Sequence, residues 1–154
     1  MDRQKVIDRM RKLCSAREYC KSDIRKKIAA IADDEVDGEE IIESLIKDKY
    51  LDETRYAKAF VNDKALLQGW GETKIRYALG AKKIDREIIG EALGTLDGEA
   101  VLDKMSSVLK NKYRTIKGTE EEKFAKLYRF AAGRGYSYEN IKKIYDIIRT
   151  DKRD

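Results

Sequence analysis

Apolar residues recur along this chain at intervals of three and four positions. Tyr56, Ala57, Phe60 and Val61 form one series, Ile75, Ala78 and Leu79 another, and Ile88, Ile89, Ala92 and Leu93 a third. That spacing lays an apolar stripe along an α-helix, and nothing comparable follows the alternation of a half-buried strand. Short polar side chains precede several series: Asp52 before Glu53-Thr54, Asp85 before Arg86-Glu87 and Asp97 before Gly98-Glu99. Each can accept a hydrogen bond from a backbone N–H left unpaired in a first helical turn. Proline, the strongest helix breaker, is absent from all 154 residues, and the ten glycines lie mostly at the ends of the series. The pattern predicts nine helices, over residues 2–14, 20–32, 37–49, 52–68, 71–81, 85–95, 97–113, 119–133 and 137–149.

The nine fall into three groups of three that echo one another. Ile24 and Ile28 precede Ile41 and Ile42; Ile75 and Leu79 precede Ile88 and Ile89; Leu127 and Ala131 precede Ile141 and Ile144. The equivalent positions Ile24, Ile75 and Leu127 are 51 and 52 residues apart, so the chain reads as tandem units over 1–50, 51–96 and 97–154. A helical trio of that size is near the lower limit for folding alone. Stacked neighbours would give an all-α, elongated and curved array; one compact nine-helix domain is the alternative. The residues expected inside are Ile24, Ile28, Ile41, Leu45, Phe60, Ile75, Leu79, Ile88, Leu93, Leu127, Phe130 and Ile141.

Composition adds exclusions. Charged residues make up 41% against 42% hydrophobic, and the mean hydropathy is −0.69. The longest apolar run, Ile28–Ala32, is far short of the ~20 residues a bilayer crossing needs. The first residues lack the apolar core of a secretory signal, which points to a cytoplasmic protein that makes no membrane contact. Without histidine, Ser-His-Asp and Cys-His chemistry and His-ligated metals are excluded, and no phosphate-cradling G-x-x-x-x-G-K-[ST] loop occurs. Cys14 and Cys20 are too few for a zinc site or a disulfide framework and read as packing residues in a reducing compartment. Runs such as Glu39-Glu40 and Glu120 to Glu122 read as solvated first turns favoured by the helix dipole. No catalytic, cofactor-binding or metal-ligating residue is assigned.

Charge is unevenly spread. Residues 3–27 carry ten Lys/Arg against three acids, and residues 33–43 carry seven acids and no base. Lys64 to Arg86 holds six bases against two acids, and Lys104 to Lys117 five bases and no acid. A basic face on a helical stack would attract a nucleic-acid backbone with an affinity that falls as salt rises; interspersed solvated charge is the plainer alternative. Trp70, the only tryptophan, stands between Gly69 and Gly71 in a predicted turn. It either caps the core of the middle unit or anchors a partner, since tryptophan is enriched among interface hot spots. Of Tyr128, Phe130, Tyr136 and Tyr138 near the end, all able to stack on bases, Phe130 fits a core position and Tyr136 a wedge between helices.

In their order, Asp52-Glu53-Thr54-Arg55-Tyr56-Ala57, Phe60-Val61, Lys64, Gly69-Trp70-Gly71, Lys74-Ile75-Arg76, Leu79 and Lys82-Lys83-Ile84 resemble the RecX regulatory proteins, which modulate the bacterial recombinase RecA. Arg17-Glu18-Tyr19 with Asp23-Ile24, and Phe130 with Arg134-Gly135-Tyr136-Ser137, extend the resemblance over residues 17–145. Three places depart from it. Lys83 stands where the family usually has glycine, so a helix must close without an easy left-handed residue. Cys20 takes a usual serine cap position, where a thiol caps poorly. Asp33-Asp34-Glu35 replaces a lysine-glycine ending.

The resemblance implies a monomeric, non-enzymatic regulator that lies on a RecA filament on single-stranded DNA and inhibits its recombinase, ATPase and coprotease activities. It implies no cofactor, a role in DNA repair and the SOS response, and at most weak direct contact with DNA. The candidate contacts are Arg55, Lys64, Trp70, Lys74, Lys82 and Lys83 from the middle unit, with Arg129 and Arg134 from the third. A helical DNA-binding protein acting directly on nucleic acid is the competing reading, and specific duplex affinity would mark it. For Arg55 and Lys64, surface pairing with Asp52 and Asp63 is the plainer role.

Overall fold

The computed structural model describes residues 1–151. Among them the chain forms nine α-helices and no strand: α1 (Arg3–Ala16), α2 (Lys21–Ile31), α3 (Gly38–Lys47), α4 (Glu53–Asn62), α5 (Glu72–Ala81), α6 (Arg86–Gly94), α7 (Gly98–Tyr113), α8 (Glu120–Gly133) and α9 (Tyr138–Asp151). Each expected helix is present with its ends within two residues, except that the helix expected over 52–68 becomes a π-helical turn at Asp63–Leu67. No helix among the described residues is long and apolar enough to cross a membrane.

The starts follow the capping logic. Asp52, Asp85 and Asp97 accept N–H bonds from Thr54 and Arg55, from Glu87 and from Glu99, at 2.9 to 3.1 Å. Cys20, at the α2 cap, accepts no such bond. The Glu53 carboxylate, distant in sequence, takes the Lys21 N–H instead at 2.9 Å, so a tertiary contact satisfies a donor that the thiol leaves open.

The ends show a feature that periodicity did not predict. In α5, Ile84 N–H donates to the Leu79 carbonyl and Lys83 N–H to the Gly80 carbonyl, at 3.1 and 2.9 Å. This paired closure puts Lys83 at φ 62°, in the left-handed region, and Lys49 closes α3 the same way at φ 65°. A side chain there costs about 1 kcal/mol through contact between Cβ and the following carbonyl. Lys83→Gly is therefore expected to raise stability by about 1 kcal/mol, seen as a higher urea midpoint at unchanged slope. A lower midpoint would show that the lysine side chain contributes more than the strain costs.

The contacts divide the chain into two compact units. The first joins Met1–Ala59 to Leu79–Ala92; the second joins Phe60–Ala78 to the described residues 93–151. In the first, Val6, Ile7 and Met10 of α1, Ile24 and Ile28 of α2, and Ile41, Ile42 and Leu45 of α3 make a shared core. The second core is built from Met105 and Leu109 of α7, Leu127 and Ala131 of α8, and Ile141, Ile144 and Ile148 of α9.

Of the residues expected inside, Phe60, Ile88, Leu93 and Phe130 are only half-buried. On α6, the inward positions fall to Ile89 and Ala92, each one residue and about 100° from the expected Ile88 and Leu93. Phe60 packs edge-on against Trp70, and Phe130 lies beneath Lys112 and Arg134.

The charge blocks of the first unit answer one another. Arg3 forks onto Glu40 and Arg25 onto Glu39, so the basic N-terminal stretch is partly spent against the acidic one. Each such exposed bridge contributes about 0–1 kcal/mol. Their main consequence is to lower the net field of this unit.

Candidate functional site

The end of α4, which from Phe60 belongs to the second unit, does not run straight into its loop. The π turn widens the backbone, with Gln68 N–H donating to the Asp63 carbonyl at 3.0 Å, and Trp70 N–H then closes onto the Lys64 carbonyl at 2.7 Å. Such turns interrupt a helix at some cost and are frequent at functional sites. Here the turn delivers Gly69-Trp70-Gly71 to the segment that follows α8. Gly71 N–H donates to the Arg134 carbonyl at 2.7 Å and Thr73 N–H to the Gly135 carbonyl at 3.3 Å. The Tyr136 hydroxyl donates to the Gly69 carbonyl at 2.6 Å, and Arg134 Nη1 to the Gln68 carbonyl at 3.0 Å.

Two glycines allow this approach. A Cβ on Gly71 would overlap the Gly135 carbonyl, and one on Gly135, at φ 92°, would overlap the Lys74 backbone N. Tyr136 is buried, and burial pushes its phenol up to about 12. Its hydroxyl remains a neutral donor at any ordinary pH.

The clamped loop presents Trp70 half-buried. Phe60 meets it edge-on at 6.3 Å and 78°. Lys64 Nζ lies 4.8 Å and Lys74 Nζ 4.2 Å from the indole centroid. Each contact is worth about 0.5–1 kcal/mol at a partly exposed site. Lys64 also lies 3.6 Å from Asp63, the partner its plainer reading named. Trp70 is thus half-buried rather than sealed as a core cap, and its ring carries two cations.

The other sequence candidates make contacts of their own. Arg55 forks onto Glu18 at 2.8 and 3.1 Å and donates to the Lys49 carbonyl, while Asp52, its expected partner, caps α4. Lys82 pairs with Asp23 at 2.8 Å. That hydrogen bond raises the lysine's pKa; burial pushes the Asp23 carboxyl up, but the bonds from Lys82 and Cys20 outweigh it and leave it lowered. Lys83 is exposed and spends its backbone on the α5 closure. These three belong to the first unit. In the second, Arg134 is drawn to the Trp70 loop through Gln68, and Arg129 is exposed on α8.

Family models for the second and third three-helix domains of RecX match residues 52–93 and 99–145. The regulatory protein RecX of Vibrio parahaemolyticus is 30% identical over 129 residues, which cover 84% of this chain and 82% of that protein. The chain belongs to the RecX family. The RecX of Clostridium botulinum, strain Eklund 17B, is 32% identical over 124 residues, covering 79% of this chain. This chain spans about half the length of such clostridial relatives, 58% of that one and 50% of the RecX of Clostridium tetani.

Two crystal structures share the fold. RecX from Lactobacillus salivarius superposes with a TM-score of 0.78 at 21% identity, covering 96% of each chain. A second regulatory protein RecX gives 0.78 at 26% identity, over 93% of this chain and 72% of that one. The RecX resemblance read from Gly69-Trp70-Gly71 and Arg134-Gly135-Tyr136-Ser137 therefore has a structural counterpart in this chain, because those two motifs are the two sides of the clamp.

Sequence reasoning missed that pairing, although both motifs were in view. Its only signal was a glycine beside an aromatic in each, which marks close backbone approach.

Proposed function

We propose that this RecX-family protein binds the RecA filament on single-stranded DNA and inhibits its strand exchange, ATP turnover and coprotease action. It works as a cytoplasmic monomer, without a cofactor and without catalysing a reaction. The observation that supports this reading is the Lys64–Trp70–Lys74 platform on its clamped loop. A tryptophan held in place before binding loses little freedom on docking, and its two cations complement a partner that carries phosphates or carboxylates. Arg55, Lys82, Lys83, Arg129 and Arg134 remain further candidates for this contact, with Arg55 and Lys82 the weaker ones because each holds a carboxylate at 2.8 Å, closer than the 3.6 Å of Lys64 to Asp63.

Co-sedimentation with the cognate RecA filament, beside bare single-stranded DNA, tests the reading. The protein is expected to bind the filament more tightly than either DNA alone, and Trp70→Ala to weaken it roughly tenfold or more, the range of a hot-spot residue. RecA ATP hydrolysis, inhibited by the parent, should recover with the variant. Equal filament binding by Trp70→Ala, with an unchanged melting curve, would remove this surface from the contact. Tight sequence-specific duplex binding with no filament effect would favour the direct DNA-binding reading.

A further inference from the structure

Most large apolar side chains of this protein are buried or half-buried, and two stand out against that pattern. Leu67 is 71% exposed and Tyr77 81%, the highest values of any large apolar residue among the described residues. Exposed apolar residues scattered singly are ordinary, but these two flank the same loop. Leu67 ends the π turn that also holds Lys64, three residues before Trp70. Tyr77 stands on α5 three positions beyond Lys74, so these two share one side of that helix.

Their placement follows from how the two elements bury their inner sides. Ala65 is the buried residue of the π turn. On α5, Ile75 is buried, and Tyr77, two positions on, is rotated about 200° from it to the outward side. Helical side chains lean toward the N-terminal end of their helix. That is the end of α5 from which Lys74 reaches Trp70, its Nζ 4.2 Å from the indole centroid. Charge on Lys64 and Lys74 does not distinguish a phosphate from a carboxylate, but Leu67 does. An aliphatic side chain has nothing to give a phosphate and gains by being covered with apolar surface.

We propose that Leu67 and Tyr77 extend the Lys64–Trp70–Lys74 platform into a docking surface for a protein segment that sets a carboxylate between apolar side chains. The inference rests on the reading that this platform meets the RecA filament, and it assigns the contact to the recombinase rather than to its DNA. The carboxylate lies with Lys64 and Lys74, the cations that Trp70 carries, and the apolar neighbours cover Leu67 and Tyr77. Covering those two excludes water from the charged centre, which is the arrangement that makes a central aromatic residue count in an interface.

Fluorescence anisotropy of the labelled full chain, titrated with the cognate RecA filament on oligothymidylate and with bare oligothymidylate, tests this. Leu67→Ala is expected to weaken filament binding about fivefold and Tyr77→Ala about tenfold, with no change toward the bare strand. Tyr77→Phe, which keeps the ring, should bind as the parent does. So should Ile46→Ala, an exposed apolar replacement in the first unit. Each change lies on the surface, so melting midpoints should stay parental. Parental filament affinity in both Leu67→Ala and Tyr77→Ala overturns the proposal, as does an equal loss toward filament and bare strand, or a loss as large in Ile46→Ala. Where Trp70→Ala weakens filament binding and those two variants do not, the platform is the contact without its apolar extension. Parental binding by Trp70→Ala as well removes both.

Discussion

Gly135→Ala is expected to lower the thermal midpoint by roughly 10 °C and to release the Trp70 loop. Gly135 sits at φ 92°, where an alanine is strained, and its added methyl would meet the backbone N of Lys74, which has no rotamer to move away. Relieving that overlap pulls apart the Gly71–Arg134 and Thr73–Gly135 hydrogen bonds, each worth about 1 kcal/mol net. Strain and lost bonds together come to about 3 kcal/mol, and a chain of this length loses about 2–4 °C for each. Gly133, two residues earlier on α8, is the control: a Cβ there meets nothing, so Gly133→Ala should not lower the midpoint. Trp70 is the only tryptophan, so its emission should shift red in Gly135→Ala and stay unchanged in Gly133→Ala. A parental melting curve and emission in Gly135→Ala would show that the two loops are not clamped.

The same residues show what was legible in the sequence. Helix number and limits followed from local causes, namely apolar spacing, Asp52, Asp85 and Asp97 as caps, and the lack of proline. Core membership was read correctly wherever one residue clearly led its stripe, as with Ile24, Ile75 and Ile141. It slipped where two apolar neighbours competed, Ile88 with Ile89 and Ala92 with Leu93, because a rotation of about 100° decides between them and only the packing partner sets it. The π turn left no periodic trace, since one widened turn is shorter than the window in which a period can be seen.

The site was less legible for a different reason. Whether a cation is available depends on partners far away in sequence. Arg55 is spoken for by Glu18 and Lys82 by Asp23, separations of 37 and 59 residues that no motif spacing encodes. The sequence of Trp70 between two glycines did mark a special place, and the clamp explains why glycine flanks it: backbone must touch backbone there.

Stability should fall steeply between pH 10 and about 12. In the second unit, Tyr136 and Tyr145 are both pushed up from 10.0 to about 12, each chiefly by burial and Tyr145 also by its bond to Glu120. The folded values are raised, so the stabilisation is complete below pH 10, where folded and unfolded chains both keep these protons. Above it the unfolded phenols ionise first, and the difference costs about 1.4 kcal/mol per phenol for each pH unit until the folded phenols ionise in turn. For two phenols that is roughly 3 kcal/mol per pH unit, a large share of the 5–15 kcal/mol that holds a typical domain. Tyr136→Phe separates the titration from the packing. It removes the hydroxyl bonded to Gly69 at 2.6 Å, so near pH 8 the variant should be less stable by about 1 kcal/mol. It also removes one of several raised groups, Tyr56, Tyr113 and Tyr145 among the others, so its stability should decline less steeply, by about 1.4 kcal/mol per pH unit, and overtake the parent before pH 12. Urea unfolding followed by circular dichroism across that range checks both slopes; parallel curves for variant and parent would show that Tyr136 is not the group whose buried proton holds the clamp together.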